Sequence, residues 1–116
     1  MFPGATTRVY LAPGATDMRK SIDTLSILVA GRLEMDPFSG HLFAFCNRRK
    51  NLVKILYWDR SGFCLWMKRL EKDRFRWPDT ASEVKEIDVR QLGWLLDGLD
   101  VHQASAHRSL HYTCLV

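Results

Sequence analysis

No stretch of this chain reaches the eighteen or more consecutive apolar residues that a membrane-spanning helix needs. Its opening, MFPGATTRVYLAPG, carries neither a basic leader nor a long apolar segment. Neither export nor insertion is expected, which makes the cytoplasm the expected compartment. Cysteine is scarce: Cys46, Cys64 and Cys114 form an odd set at wide spacing, which suits neither a disulfide framework nor paired CxxC zinc ligands. The seven glycines never cluster as GxGxxG or GxxxxGK, so the chain lacks a loop able to cradle a nucleotide phosphate. Carboxylates are thin where catalysis would want them. Asp59, Glu71 and Asp73 stand at turns beside Arg or Lys, the pattern of turn formers and exposed ion pairs rather than of a gathered Mg²⁺ site. His102, His107 and His111, with Cys114 nearby, come closest to a metal constellation, but no acidic partner or fixed scaffold accompanies them. Cys46 and Cys64 fall inside apolar strand runs, where a buried, inert thiol is the expectation. The chain is thus expected to carry no catalytic residues, no metal and no cofactor.

What is present is a strong separation of charge. Between Arg48 and Arg76 stand ten basic residues against three acids, a net +7, while the remainder is net −3 and the whole chain +4. The ten are Arg48, Arg49, Lys50, Lys54, Arg60, Lys68, Arg69, Lys72, Arg74 and Arg76. A few lysines would suffice to guard an exposed strand edge against unwanted pairing. Ten cations exceed that need and point to an anionic partner, with nucleic acid the usual one. Tyr57, Trp58, Phe63, Trp66, Phe75 and Trp77 are interleaved with them. Aromatics at strand period belong first to a core, and stacking on unpaired bases is the alternative use.

At 116 residues, 47% of them apolar, the chain fits one folded domain. Thr7 to Ala12 alternates as a short strand, and Pro13 and Gly14 end it. Asp17 stands at an N-cap position. Met18, Ile22, Leu25, Val29 and Leu33 then lie on one stripe of a helix running to about Glu34, with Arg19, Lys20, Asp23, Thr24 and Arg32 on its polar face. Asp36, Pro37, Ser39 and Gly40 turn the chain into four runs: Leu42 to Cys46, Leu52 to Trp58, Phe63 to Leu70 and Arg74 to Trp77. The loops between them are too short for parallel returns, so the runs predict an antiparallel meander. The second run is apolar on both faces, which suits a central strand with one face covered by a second helix or another subunit. In the last run Arg74 and Arg76 alternate with Phe75 and Trp77, a wet side and a dry side. The polar DTASEVKE reads as a loop. Asp88 with Gln91 resembles a capping box for a short helix to about Asp100, with Val89, Leu92, Leu96 and Leu99 as its stripe. From His102 no period is sustained, and residues 102–116 read as a mobile tail.

The segments TDMRKSIDTL (Thr16 to Leu25), Asp36 to Pro78 and QLGWLLDGLD (Gln91 to Asp100) resemble, in the same order, the small accessory protein encoded by the second open reading frame of bacterial insertion sequences of the IS sixty-six family. The resemblance covers roughly residues 7–100. It implies an auxiliary role in transposition beside a separate protein that carries the catalytic transposase domain, and it brings no assigned catalytic residues.

The expectation is an α+β protein. Residues 1–101 form a single domain in which an antiparallel meander of four to five strands packs against one long N-terminal helix and a shorter C-terminal helix. Two functions remain open: a non-catalytic protein that contacts element DNA through the ten basic residues, or an adaptor that binds the transposase and leaves DNA to it. Self-association would suit the apolar second run.

Overall fold

The computed structural model describes residues 6–78 and 82–101. The chain runs β1 (Arg8–Leu11), α1 (Ile22–Gly31), β2 (Leu42–Cys46), β3 (Leu52–Asp59), β4 (Gly62–Arg69), β5 (Lys85–Asp88) and α2 (Val89–Leu96). The strands form one sheet in the order β4-β3-β2-β1-β5. β2, β3 and β4 are the expected hairpin-linked meander, each antiparallel to the next. β1 lies parallel to β2, because the excursion through α1 carries the chain back to the end of the sheet at which β1 began. β5 closes the other side of β1, antiparallel to it.

The sheet is covered on both faces. On one, Leu25, Val29 and Leu33 pack with Phe43, Phe45 and Leu56, joined by the half-buried Met18 and Ile22. On the other, Leu92 and Leu95 of α2 pack with Val53, Ile55, Phe75 and Trp77. All five residues of β2 are buried, as double coverage requires. β3, read as doubly apolar, is central, and α2 with Phe75 and Trp77 supplies the cover on its second face.

Five expectations are corrected. The N-terminal helix has ten residues rather than the length from Met18 to Glu34, although the stripe predicted its burial faithfully. Asp17 does not cap it: the Asp17 carboxylate is held by the Arg19 amide and guanidinium, closing a tight turn, and the helix begins after Ser21. Beyond Gly31, Glu34 adopts a left-handed backbone and turns the chain away, which leaves Leu33 buried outside the helix. The run Arg74 to Trp77 is no strand. It is an extended plug whose Phe75 and Trp77 are buried while Arg74 and Arg76 are exposed, so its alternation was real but its partner is side-chain packing rather than a ladder. The Trp77 indole donates to the Ala12 carbonyl at 3.1 Å, and the Phe75 amide to the Lys50 carbonyl at 2.7 Å.

The segment read as a polar loop, DTASEVKE, runs into β5, whose first two residues are Lys85 and Glu86. Only Ile87 of its four residues is buried, and an edge strand with one inward side chain leaves a weak apolar signal. The last correction concerns α2, which ends at Leu96 rather than near Asp100. Gly98 takes a left-handed backbone, its amide donating to the Leu95 carbonyl and that of Leu99 to the Trp94 carbonyl, the paired bonds of a Schellman stop. The capping box at its start is formed: the Asp88 carboxylate accepts from the Gln91 amide at 2.7 Å and the Gln91 side chain accepts from the Asp88 amide at 3.0 Å. The expected tail, 102–116, lies outside the described residues.

Candidate nucleic-acid interface

The topology divides the ten basic residues by position. β1 and β2 end, β3 begins, β4 ends and β5 begins at one end of the sheet, which therefore collects the loops 12–20, 47–51 and 70–77. Arg48, Arg49, Lys50, Arg69, Lys72, Arg74 and Arg76 all lie there, and all are exposed. Arg60 sits in the β3–β4 turn at the opposite end, roughly 25 Å away along the eight residues of β3.

The β2–β3 loop is built by asparagine. The Asn47 side-chain oxygen accepts from the amides of Asn51 and Leu52, at 3.0 and 3.1 Å, while its amide group donates to the Asn51 side chain at 2.7 Å. The Lys50 amide closes a turn on the Asn47 carbonyl at 3.1 Å, and Lys50 itself is left-handed, a conformation that costs a non-glycine residue about 1 kcal/mol. The bond from Phe75 to the Lys50 carbonyl then ties the loop to the plug. The three cations at the tip are thus carried on a braced turn. Two asparagines flanking a basic triplet, N-RRK-N, are the signal from which this bracing was readable.

Two of the ten cations are engaged elsewhere. Lys54 Nζ donates to the carbonyls of Met18 and Lys20, at 2.7 and 2.9 Å. Lys68 Nζ donates to the Leu96 carbonyl at 2.8 Å, where an ammonium complements the negative end of α2. Arg69 is paired with Glu71 at 3.0 Å, an exposed pair that water weakens.

Two open concavities flank the braced loop. One, of about 740 Å³, is lined by Lys50, Lys72, Arg74 and Arg76 together with Asp73 and Asp97. The other, of about 440 Å³, lies between the loop and the turn before α1, with Asn47, Arg48 and Arg49 facing Thr16, Asp17 and Met18. Arg19 and Lys20 belong to that turn. The Arg19 guanidinium beside Asp17 holds the carboxyl well below the usual carboxylate range. Asp97 and Gly98 at the rim could not be anticipated, because only the fold carries the end of α2 to this side.

Among the described residues no group of three His, Cys, Asp or Glu side chains is placed to hold a metal ion, and no helix is long and apolar enough to cross a membrane. His102, His107, His111 and Cys114 lie outside the described residues. Burial pushes the Cys46 thiol up to about 12, whereas Cys64 is only half-buried, near Tyr57.

The opposite end of the sheet has another character. Phe38, Trp58 and Phe63 form a triangle with ring centroids 5.0 to 5.2 Å apart, and Phe38 is 57% exposed.

Comparison with known proteins places relatives beside this geometry. The chain is 39% identical over 97 residues to a Sinorhizobium fredii (strain NBRC 101917 / NGR234) protein named uncharacterized protein y4hO, over 84% of each chain. A second protein of that strain, named uncharacterized protein y4jC, is 31% identical over 98 residues, again over 84% of each. No solved structure matches. A family model described as IS66 Orf2 like protein matches residues 7–106, reaching six residues past the resemblance drawn from the sequence.

Proposed function

The chain belongs to the IS66 Orf2-like family, and from that premise we propose that this transposition accessory protein binds DNA through the basic end of its sheet. One observation carries the proposal: Arg48, Arg49, Lys50, Lys72, Arg74 and Arg76 lie on one end, exposed and beside a braced loop, although the sequence spreads them over 29 positions. Each such cation can displace a condensed counterion from a phosphate backbone, and the gathering lets several act on one stretch of duplex. Contacts of this kind position a protein and carry little sequence information, so the expected specificity is modest. Lys54 and Lys68, bonded to carbonyls, contribute field rather than contact, and Arg60 is too distant to join the same patch.

The test is binding to element-end DNA and to scrambled DNA across a salt series. The proposal expects affinity for both, falling steeply with salt. Absence of binding at low salt would refute it.

The second reading is an adaptor for the transposase of the same element. What favours it is the aromatic triangle of exposed Phe38 with half-buried Trp58 and Phe63, at the end away from the seven clustered cations and of the composition that protein interfaces favour. Co-purification with the transposase that survives high salt, with no DNA affinity of this protein alone, would establish that reading in place of the first.

A further inference from the structure

The two edges of the sheet differ in a way that bears on assembly. β5 is four residues long and carries Lys85, Glu86 and Asp88, the short, charged edge that discourages strand addition. β4 is eight residues long, and its run from Phe63 to Met67 is apolar throughout. Among the described residues no strand pairs on its outer side. Its closing cations do not guard it either: Lys68 is turned back onto the Leu96 carbonyl and Arg69 onto Glu71. Met67 stands 58% exposed.

The direction of the unused backbone groups restricts what can add here. The Leu70 amide donates to the Asn51 carbonyl at 2.8 Å, and these residues lie opposite one another in the β3–β4 register. Bonding to β3 therefore falls to the even-numbered residues of β4, and the amides and carbonyls of Phe63, Leu65 and Met67 are directed outward. An incoming antiparallel strand must match outward groups with outward groups. For a second copy that means odd-numbered residues facing odd-numbered residues.

Within that restriction the sequence is complementary to itself. We infer that β4 pairs antiparallel with β4 of a second copy about Leu65, joining the two sheets into one of ten strands. In this register Leu65 faces its own counterpart, Met67 faces Phe63, and Trp66 faces Cys64, so every apolar side chain of the run meets an apolar partner. Lys68 falls opposite Gly62, which opposes it with no side chain. Parallel addition in register would instead set Lys68 against Lys68 and Arg69 against Arg69, like charges directly across the ladder. The occupant is thus a second copy of this chain in one orientation.

Sedimentation of the full-length protein without DNA, over a concentration series, tests the inference. The expected species has twice the 13.5 kDa mass of the single chain. Met67→Glu, at a position exposed in the single chain, is expected to halve the measured mass with an unchanged circular dichroism spectrum. Amide exchange on the unmodified protein supplies a reading that needs no variant: Phe63, Leu65 and Met67 should exchange as slowly as Cys64 and Trp66, and speed up on dilution. A single-chain mass at tens of micromolar, or fast exchange at the three odd positions beside slow exchange at their even neighbours, would overturn it. A double mass that Met67→Glu leaves intact would overturn it as well. None of these outcomes depends on whether the protein binds DNA.

Discussion

Lys54 donates its ammonium protons to the backbone carbonyl of Met18 at 2.7 Å, and to that of Lys20 at 2.9 Å, pinning the turn before α1 to the middle of the sheet. A side chain spent in this way belongs to stability rather than to an outside anion. Lys54→Met is expected to lower unfolding free energy by about 1–3 kcal/mol, the cost of leaving part-buried carbonyls without their charged donor. Urea unfolding measures the loss. The salt dependence of DNA binding should stay as it is in the unsubstituted protein, and a shallower slope would show that Lys54 meets phosphate.

The cations of the braced loop make the opposite forecast. Replacing Arg48, Arg49 and Lys50 together with Ala should make the slope of log affinity against log salt shallower by about two to three units. Arg60→Ala, at the far end of β3, should leave that slope unchanged. Equal effects from both variants would mean that charge acts without regard to place.

Phe75 lies outside any ladder, yet it is 1% exposed and plugs the face covered by α2. Phe75→Ala should cost about 3–5 kcal/mol, the loss seen when a large aromatic leaves a cavity in a packed core. Thermal unfolding reads it directly. An effect below about 0.5 kcal/mol, the range of ordinary surface substitutions, would show that the plug is dispensable.

At the start of α2, Asp88→Ala removes the acceptor for the Gln91 amide and half of the capping box. The expected loss is about 1 kcal/mol. Asp88→Ser, which keeps an oxygen at the cap, should recover most of it in the same unfolding measurement.

Cys46 sets a limit on the alkaline side. Burial raises its folded pKa from 9.0 to about 12, so the unfolded chain releases the thiol proton first as pH rises. The contribution to stability is therefore whole below pH 9 and is lost between 9 and about 12. Cys46→Ala should be less stable at neutral pH, through lost packing, but should fall less steeply over that alkaline window. Parallel curves for the two proteins would rule this linkage out.

Much of this architecture was legible because burial leaves a periodic trace. The stripe from Met18 to Leu33 located the helical cover, the doubly apolar β3 announced a central strand, and Asp88 with Gln91 marked the start of α2. What escaped was whatever depends on the partner rather than on the segment. Alternation in 74–77 says that one side is dry, but it cannot say whether backbone or side chains make the contact. β5 was missed because a single inward Ile87 among charged neighbours gives no period.

For the candidate interface, the count of cations was readable and their fate was not. Arg48, Arg49 and Lys50 stand free on a braced turn, whereas Lys54 and Lys68, equal to them in the sequence, are folded back onto carbonyls 34 to 36 and 28 residues away. Such distant acceptors have no local signature.

The placing of β1 between β2 and β5 has a consequence for how the chain comes into being. β1 is made first, yet one of its flanks pairs with residues more than seventy positions later, Val9 against Ile87 and Arg8 against Asp88. During synthesis that flank waits as a bare template until nearly the whole domain has emerged. Closure at such sequence separation is slow, and a product cut short before Lys85 keeps the template open. A premature stop upstream of Lys85 would thus yield a sticky, aggregating fragment instead of a shortened but working protein.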